Sequence, residues 1–111
     1  MVVLCGEQTD RVFQALSDAT RRQIVASLCQ GNATVSELAA PFNMSLAGVS
    51  KHIKVLERAQ LVRIEKQGRR HICHLNPKAL RTASDLFAYY ERFWTQRLDA
   101  LEAHFSKGKQ S

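Results

Sequence analysis

The sequence predicts a mainly α-helical domain with one small β-hairpin. Three observations predict it. Apolar residues recur at helical spacing along most of the chain. The stretch Leu61–Leu75 breaks that rhythm with two short runs rich in β-branched residues, separated by Gln67-Gly68-Arg69. Finally, 111 residues, 45% hydrophobic and 23% charged, with no linker or internal repeat, fit one core and leave no room for a second of ordinary size. A single domain over residues 1–111 is expected, ordered over about residues 7–106 with short flexible termini.

The elements follow in order. Val12, Phe13 and Leu16 mark a first helix over roughly Glu7–Ser17. Asp18 has the chemistry of an N-cap, a carboxylate able to accept from free first-turn N–H groups. Ile24, Val25 and Leu28 then line a second helix that Gly31 ends. Thr34-Val35-Ser36-Glu37 has capping-box spacing for a short third helix, with Leu38 and Ala39 inward and a stop near Pro41-Phe42. Asn43-Met44 makes a tight turn, and Ser45 caps a fourth helix running to about Ala59. The apolar face expected for that helix is Leu46, Val49, Ile53 and Leu56. Leu61–Lys66 and Arg70–Leu75 form the hairpin. Asn76-Pro77, a cap and a first-turn proline, opens a last helix reaching about His104 or Phe105. Its stripe is Leu80, Ala83, Phe87, Tyr90, Trp94, Leu98, Leu101 and Phe105.

Charge adds a direction. The chain carries a net +6, and Ser45–Asn76, with seven basic and two acidic residues, holds +5 of it. A basic patch confined to the fourth helix and the hairpin attracts polyanions, chiefly nucleic acid or an acidic membrane. The fourth helix presents Ala47, Lys51, Lys54 and Arg58 opposite its apolar face, flanked by Gly48 and Ser50. Small residues near its start allow close entry into a major groove, with Ser50 and Lys51 reaching base edges and Lys54 reaching phosphates. Ser45 and His52 belong to the same expected DNA-binding set, together with Lys66, Arg69 and Arg70 of the hairpin. Two helices joined by a short turn and followed by a basic hairpin have the layout of a winged helix-turn-helix of five helices and a two-stranded wing. The face of one basic helix is often only solvated; here helix spacing, basic wing and confinement of charge agree.

These same residues carry a resemblance. Phe13-Gln14-Ala15-Leu16-Ser17-Asp18-Ala19-Thr20-Arg21-Arg22 resembles the opening F-x-A-L-x-D-P-T-R-R of ArsR-type (ArsR/SmtB-like) winged-helix regulators, with Ala19 where proline is usual. Residues 34–62 are similar to that family's helix-turn-helix. Gly68-Arg69-Arg70 and Leu75-Asn76-Pro77 fit its wing and last helix, and Cys73 stands where an aromatic is common. The resemblance covers about residues 9–105 and is nearest the subgroup without metal ligands. It implies a homodimeric bacterial transcription regulator, usually a repressor, acting on double-stranded DNA.

A dimer is also expected on physical grounds. The last helix carries Phe87, Tyr90, Phe93, Trp94, Leu98, Leu101 and Phe105, more aromatic surface than so small a core needs. Phe13 and Leu16 are assigned to the same interface. A two-fold dimer would hold two recognition helices about 34–36 Å apart over a pseudo-palindromic operator.

No metal or other cofactor is expected. The resemblance places one metal site in the third helix as Cys-x-Cys, but Val35, Ser36, Glu37 and Leu38 stand there. A second family site needs paired Asp/His ligands on the last helix. That helix offers Asp85, Glu91, Asp99, Glu102 and only one histidine, His104. On the hairpin, His71 and Cys73 share a strand face and His74 takes the other, too few ligands to close around an ion; Cys73 is expected in the core. Cys29 is expected as a small buried hydrophobe and Cys5 as the most accessible thiol. Three cysteines favour a reducing cytoplasm over a disulfide framework, and no apolar run approaches the roughly 18 residues of a membrane span. The short run Val2–Cys5 does not read as a secretory signal. No phosphate loop, carboxylate pair or activated nucleophile points to an enzyme. Two alternatives stay open: a winged-helix module docking protein or RNA, and a thiol-redox-responsive repressor using Cys5, Cys29 and Cys73.

Overall fold

Side-chain caps at Asp18, Thr34, Ser45 and Asn76 set where the later helices start, whereas the first follows Gly6 without one. A computed structural model describes residues 6–109, with side chains over residues 6–106; Cys5 lies outside the described residues. Helix α1 (Glu7–Ala15) buries Thr9, Val12 and Ala15. It ends two residues earlier than the expected Ser17, whose hydroxyl instead donates to the Gln14 carbonyl at 2.6 Å. Helix α2 (Ala19–Cys29) starts under Asp18, whose carboxylate accepts the Arg21 N–H at 3.1 Å. The capping box is present in full at α3 (Val35–Ala39). Thr34 accepts from the Glu37 N–H at 3.1 Å, and Glu37 accepts from the Thr34 N–H at 3.1 Å. Ser45 caps α4 (Leu46–Arg58) by accepting the Gly48 N–H at 3.0 Å.

Helix α4 ends in a Schellman motif: the Leu61 N–H reaches the Leu56 carbonyl and the Gln60 N–H the Glu57 carbonyl. Gln60 takes the left-handed conformation that this ending requires, at φ 62°. Asn76 then stitches the ends of neighbouring elements together, donating from Nδ2 to the Gln60 carbonyl at 2.8 Å and from its N–H to Leu61 at 2.8 Å. Gln8 donates to the Ala59 carbonyl at 2.6 Å and so ties α1 to the end of α4.

Strands β2 (Val62–Gln67) and β3 (Arg70–Leu75) pair antiparallel, with Gln67 opposite Arg70. The connection is therefore two residues, and Gly68 at φ 62° supplies the positive φ that such a hairpin turn demands at its first position. A further strand, β1 (Ala33–Thr34), was not expected. It pairs with β3, Ala33 opposite Cys73, and gives a three-stranded sheet ordered β1-β3-β2 instead of a bare two-stranded wing.

The core lies between α1, α2, α4 and the sheet. Val12, Ile24, Val49, Ile53, Leu56, Leu61 and Cys73 are its largest fully buried members. Burying each of the larger aliphatic side chains stabilises the fold by about 1.5–3 kcal/mol. Three expectations are corrected. Leu46, assigned to the apolar face of α4, is 53% exposed. It occupies the first helical position, where the Cα–Cβ bond leans back past the start of the helix and away from the core. Cys29, expected buried, is exposed, because it is the last residue of α2 and falls beyond the face set by Ile24, Val25 and Leu28. The third correction concerns α5 (Pro77–Lys109). It packs on the core through Ala79, Ala83 and Leu86, with Leu80 partly covered, so Leu80 and Ala83 of the expected stripe meet the core, Ala79 and Leu86 join them, and the stripe's later members do not. From Phe87 onward the helix leaves its own core. No helix among the described residues is long and apolar enough to cross a membrane.

Candidate nucleic-acid interface

Helix α4 is held from below and from one side. Val49, Ile53 and Leu56 face the core. Val55 packs toward α1, sharing a shallow depression with Arg11, Gln14 and Ala15. His52 is half-buried against the start of α2. The Arg21 guanidinium donates to its Nδ1 at 3.3 Å, with Asp18 3.8 Å away. A guanidinium has no acceptor, so His52 Nδ1 is the accepting nitrogen here. Arg21 also donates to the carbonyls of Ala15 at 2.6 Å and Gln14 at 3.3 Å, and thus joins α1, α2 and α4. Of the expected DNA-binding set, His52 is the member turned toward the protein.

The face left open runs from Leu46 through Ser50, Lys54 and Ala47 to Arg58 and Lys51. Its centre is displaced by roughly 50° from the point opposite the core residues, because α1 and α2 cover one flank. Ala47, Lys51 and Lys54 are exposed; Ser50 and Gly48 are half-buried. A methyl at Gly48 would sit 3.3 Å from the Ser45 hydroxyl oxygen, so glycine keeps room for the cap.

The wing stands beside this face. Lys66, Arg69 and Arg70 are exposed. Among the described residues neither they nor Lys51 and Lys54 enter an ion pair. An open cleft of about 520 Å³ separates wing from helix. Its walls include Ser36, Glu37, Leu46, Ser50, Arg69 and Arg70. Ser36 and Glu37 were not expected at this site; the signal available was their position in the helix preceding the recognition helix. Hydrogen bonds from Thr34 hold the Glu37 carboxyl below the usual range, with Arg70 a smaller contribution. On the hairpin, Glu65 is likewise lowered, first by the Gln67 amide and then by His74, 2.8 Å away. Cys73 is buried, and burial pushes its thiol up, away from the reactive thiolate. No group of three or more His, Cys, Asp or Glu side chains among the described residues is placed to hold a metal ion.

The expected dimer residues cluster elsewhere. Phe13 is half-buried, its ring edge-on to Phe87 at 5.3 Å, and Leu16 lies nearby on the same rim of the core. Phe87, Tyr90, Phe93, Trp94, Leu98, Leu101 and Phe105 are all exposed along α5.

Comparison with known proteins agrees with this architecture. The family model described as "Bacterial regulatory protein, arsR family" matches residues 18–63. The HTH-type transcriptional regulator Rv2034 of Mycobacterium tuberculosis is 45% identical over 92 residues, covering 80% of each chain. The chain belongs to the ArsR family. As an ArsR-family protein it is a transcriptional regulator with a winged helix-turn-helix fold. The transcriptional repressor SdpR of Bacillus subtilis is 34% identical over 71 residues, 64% of this chain and 79% of that protein. Among solved structures, the ArsR family transcriptional regulator RHA00566 superposes with a TM-score of 0.75 at 40% identity, covering 80% of this chain and 98% of that one. Mb0332 of Mycobacterium bovis, described as a homodimeric winged helix-turn-helix DNA-binding domain, matches with a TM-score of 0.64 at 27% identity, over 78% and 82% of the two chains.

Proposed function

We propose that this ArsR-family chain is a homodimeric, sequence-specific repressor that binds a pseudo-palindromic operator in the cytoplasm. The observation that carries the proposal is the open face of α4. Small residues at its start and unpaired lysines further along lie beside an unpaired arginine wing tip. Small side chains let a helix approach base edges, and unpaired cations exchange counterions with phosphates. The homodimeric description of Mb0332 and the repressor name of SdpR support the finer parts. No catalytic step is assigned to it, and no metal or cofactor.

Selection of duplexes from a random pool by the full chain tests this directly. An enriched two-fold sequence is expected, bound about 10³-fold or more above random duplex at physiological salt. Equal affinity for selected and random duplex would overturn sequence-specific binding and favour docking of protein or RNA.

A further inference from the structure

Large exposed hydrophobic side chains fall into two groups among the described residues. One lies along α5, and the dimer proposed above would cover it. The other is Met44 and Leu46, 39% and 53% exposed, on either side of the Ser45 cap of α4. Neither belongs to the hydrophobic core. The Ser45 cap and the core both stand without Leu46, whose side chain forms part of the wall of the cleft facing Arg69 and Arg70.

The surroundings restrict what can cover this apolar spot. Ser50 lies one turn further along the same edge of α4, with Lys54 and Ala47 beyond it, and the wing arginines stand across the cleft. An apolar protein partner would have to set its own surface among unpaired cations. A polyanion matches those charges, and duplex DNA offers one apolar group in its major groove, the C5-methyl of thymine. A helix entering that groove leads with its N-terminal residues, the part of α4 where Leu46 sits. We infer that Leu46 is a specificity-determining residue that packs on a thymine methyl in each operator half-site. The inference rests on the DNA-binding proposal above and adds a base preference to it.

The test uses the full chain and its selected operator. Thymines are replaced by deoxyuridine, which removes only the methyl, one symmetric pair at a time, for wild type and for Leu46→Ala. Losing one methyl contact weakens binding by about fourfold per half-site, hence about fifteenfold for a symmetric operator. Wild type should show that loss at one pair of positions. Leu46→Ala should show a similar loss on the thymine operator and no further loss with deoxyuridine there. Because Leu46 is exposed, an unchanged melting temperature is expected for the variant. The inference is overturned if wild type is indifferent at every position. It is equally overturned if the half-site selects no thymine, or if Leu46→Ala still discriminates the methyl. A Leu46→Ala protein with undiminished operator affinity overturns it as well, and points to a protein partner for the spot. Absence of any preference for the selected operator in wild type is a different failure, that of the DNA-binding proposal itself.

Discussion

Gln60 spends its position in a conformation that L-residues avoid. Its φ of 62° closes the Schellman ending of α4, and among the described residues its exposed side chain makes no hydrogen bond that offsets the strain. Glycine adopts this geometry without a Cβ clash. Gln60→Gly is therefore expected to stabilise the fold by about 1 kcal/mol, read as a higher urea midpoint at unchanged slope. A lower midpoint would show that the backbone freedom added to the unfolded chain outweighs the relief. Individual residues were legible in the sequence where periodicity decides them. Val49, Ile53 and Leu56 recur at three- and four-residue steps and are buried as expected. Leu46 and Cys29 continue such steps but stand at helix ends, where the same angle no longer faces a neighbour. Periodicity encodes direction around the axis and says nothing about where the opposing surface stops.

At the scale of elements, the caps were readable because each is a contact between residues three apart, as at Asp18, Thr34 and Ser45. Strand β1 was not readable. It has two residues, and its existence depends on β3 some forty residues later. The caps also set an acid limit. Asp18 is held below its ordinary value chiefly by the Arg21 backbone N–H, and Glu37 by Thr34. A carboxyl lowered in the folded state contributes stability that is complete above its unfolded pKa and is lost as pH falls through the folded one. Urea midpoints should thus be level near neutrality and fall below about pH 4, and Asp18→Asn should make that fall shallower. A midpoint independent of pH down to 3 would show that these bonds hold no net stability. The wing makes a separate prediction. Removing Arg69 and Arg70 together should weaken binding to selected and random duplex alike. The slope of log affinity against log salt should shrink by about 3–4 per dimer, since each lost phosphate contact accounts for about 0.9. An unchanged slope would place the wing tip off the DNA.

The whole molecule is divided by α5. Its first turns, through Ala79, Ala83 and Leu86, complete the core, and the remainder carries aromatics into solvent. At about 1.5 Å per residue the 33-residue helix spans roughly 50 Å, longer than the core it caps. The sequence announced this surplus of aromatic surface, but not where burial within the subunit would end, because one amphipathic stripe serves both purposes in turn. Phe13 against Phe87 marks the junction: one ring is half-buried and the other is 59% exposed. Trp94, 62% exposed, sits one turn past Tyr90 and is the natural centre of the proposed interface. A central aromatic of this kind is worth about 2 kcal/mol or more. A two-fold dimer loses it twice, so Trp94→Glu should raise the dimer dissociation constant about a thousandfold, seen by sedimentation. The subunit's own core is untouched, so circular dichroism should keep its helical signal. Operator affinity should fall toward that of an isolated half-site, and insertion of half a helical turn between half-sites should cease to matter. A variant that stays dimeric, or that turns monomeric while still sensing half-site spacing, would separate the aromatic stripe from the device that sets the distance between the two recognition helices.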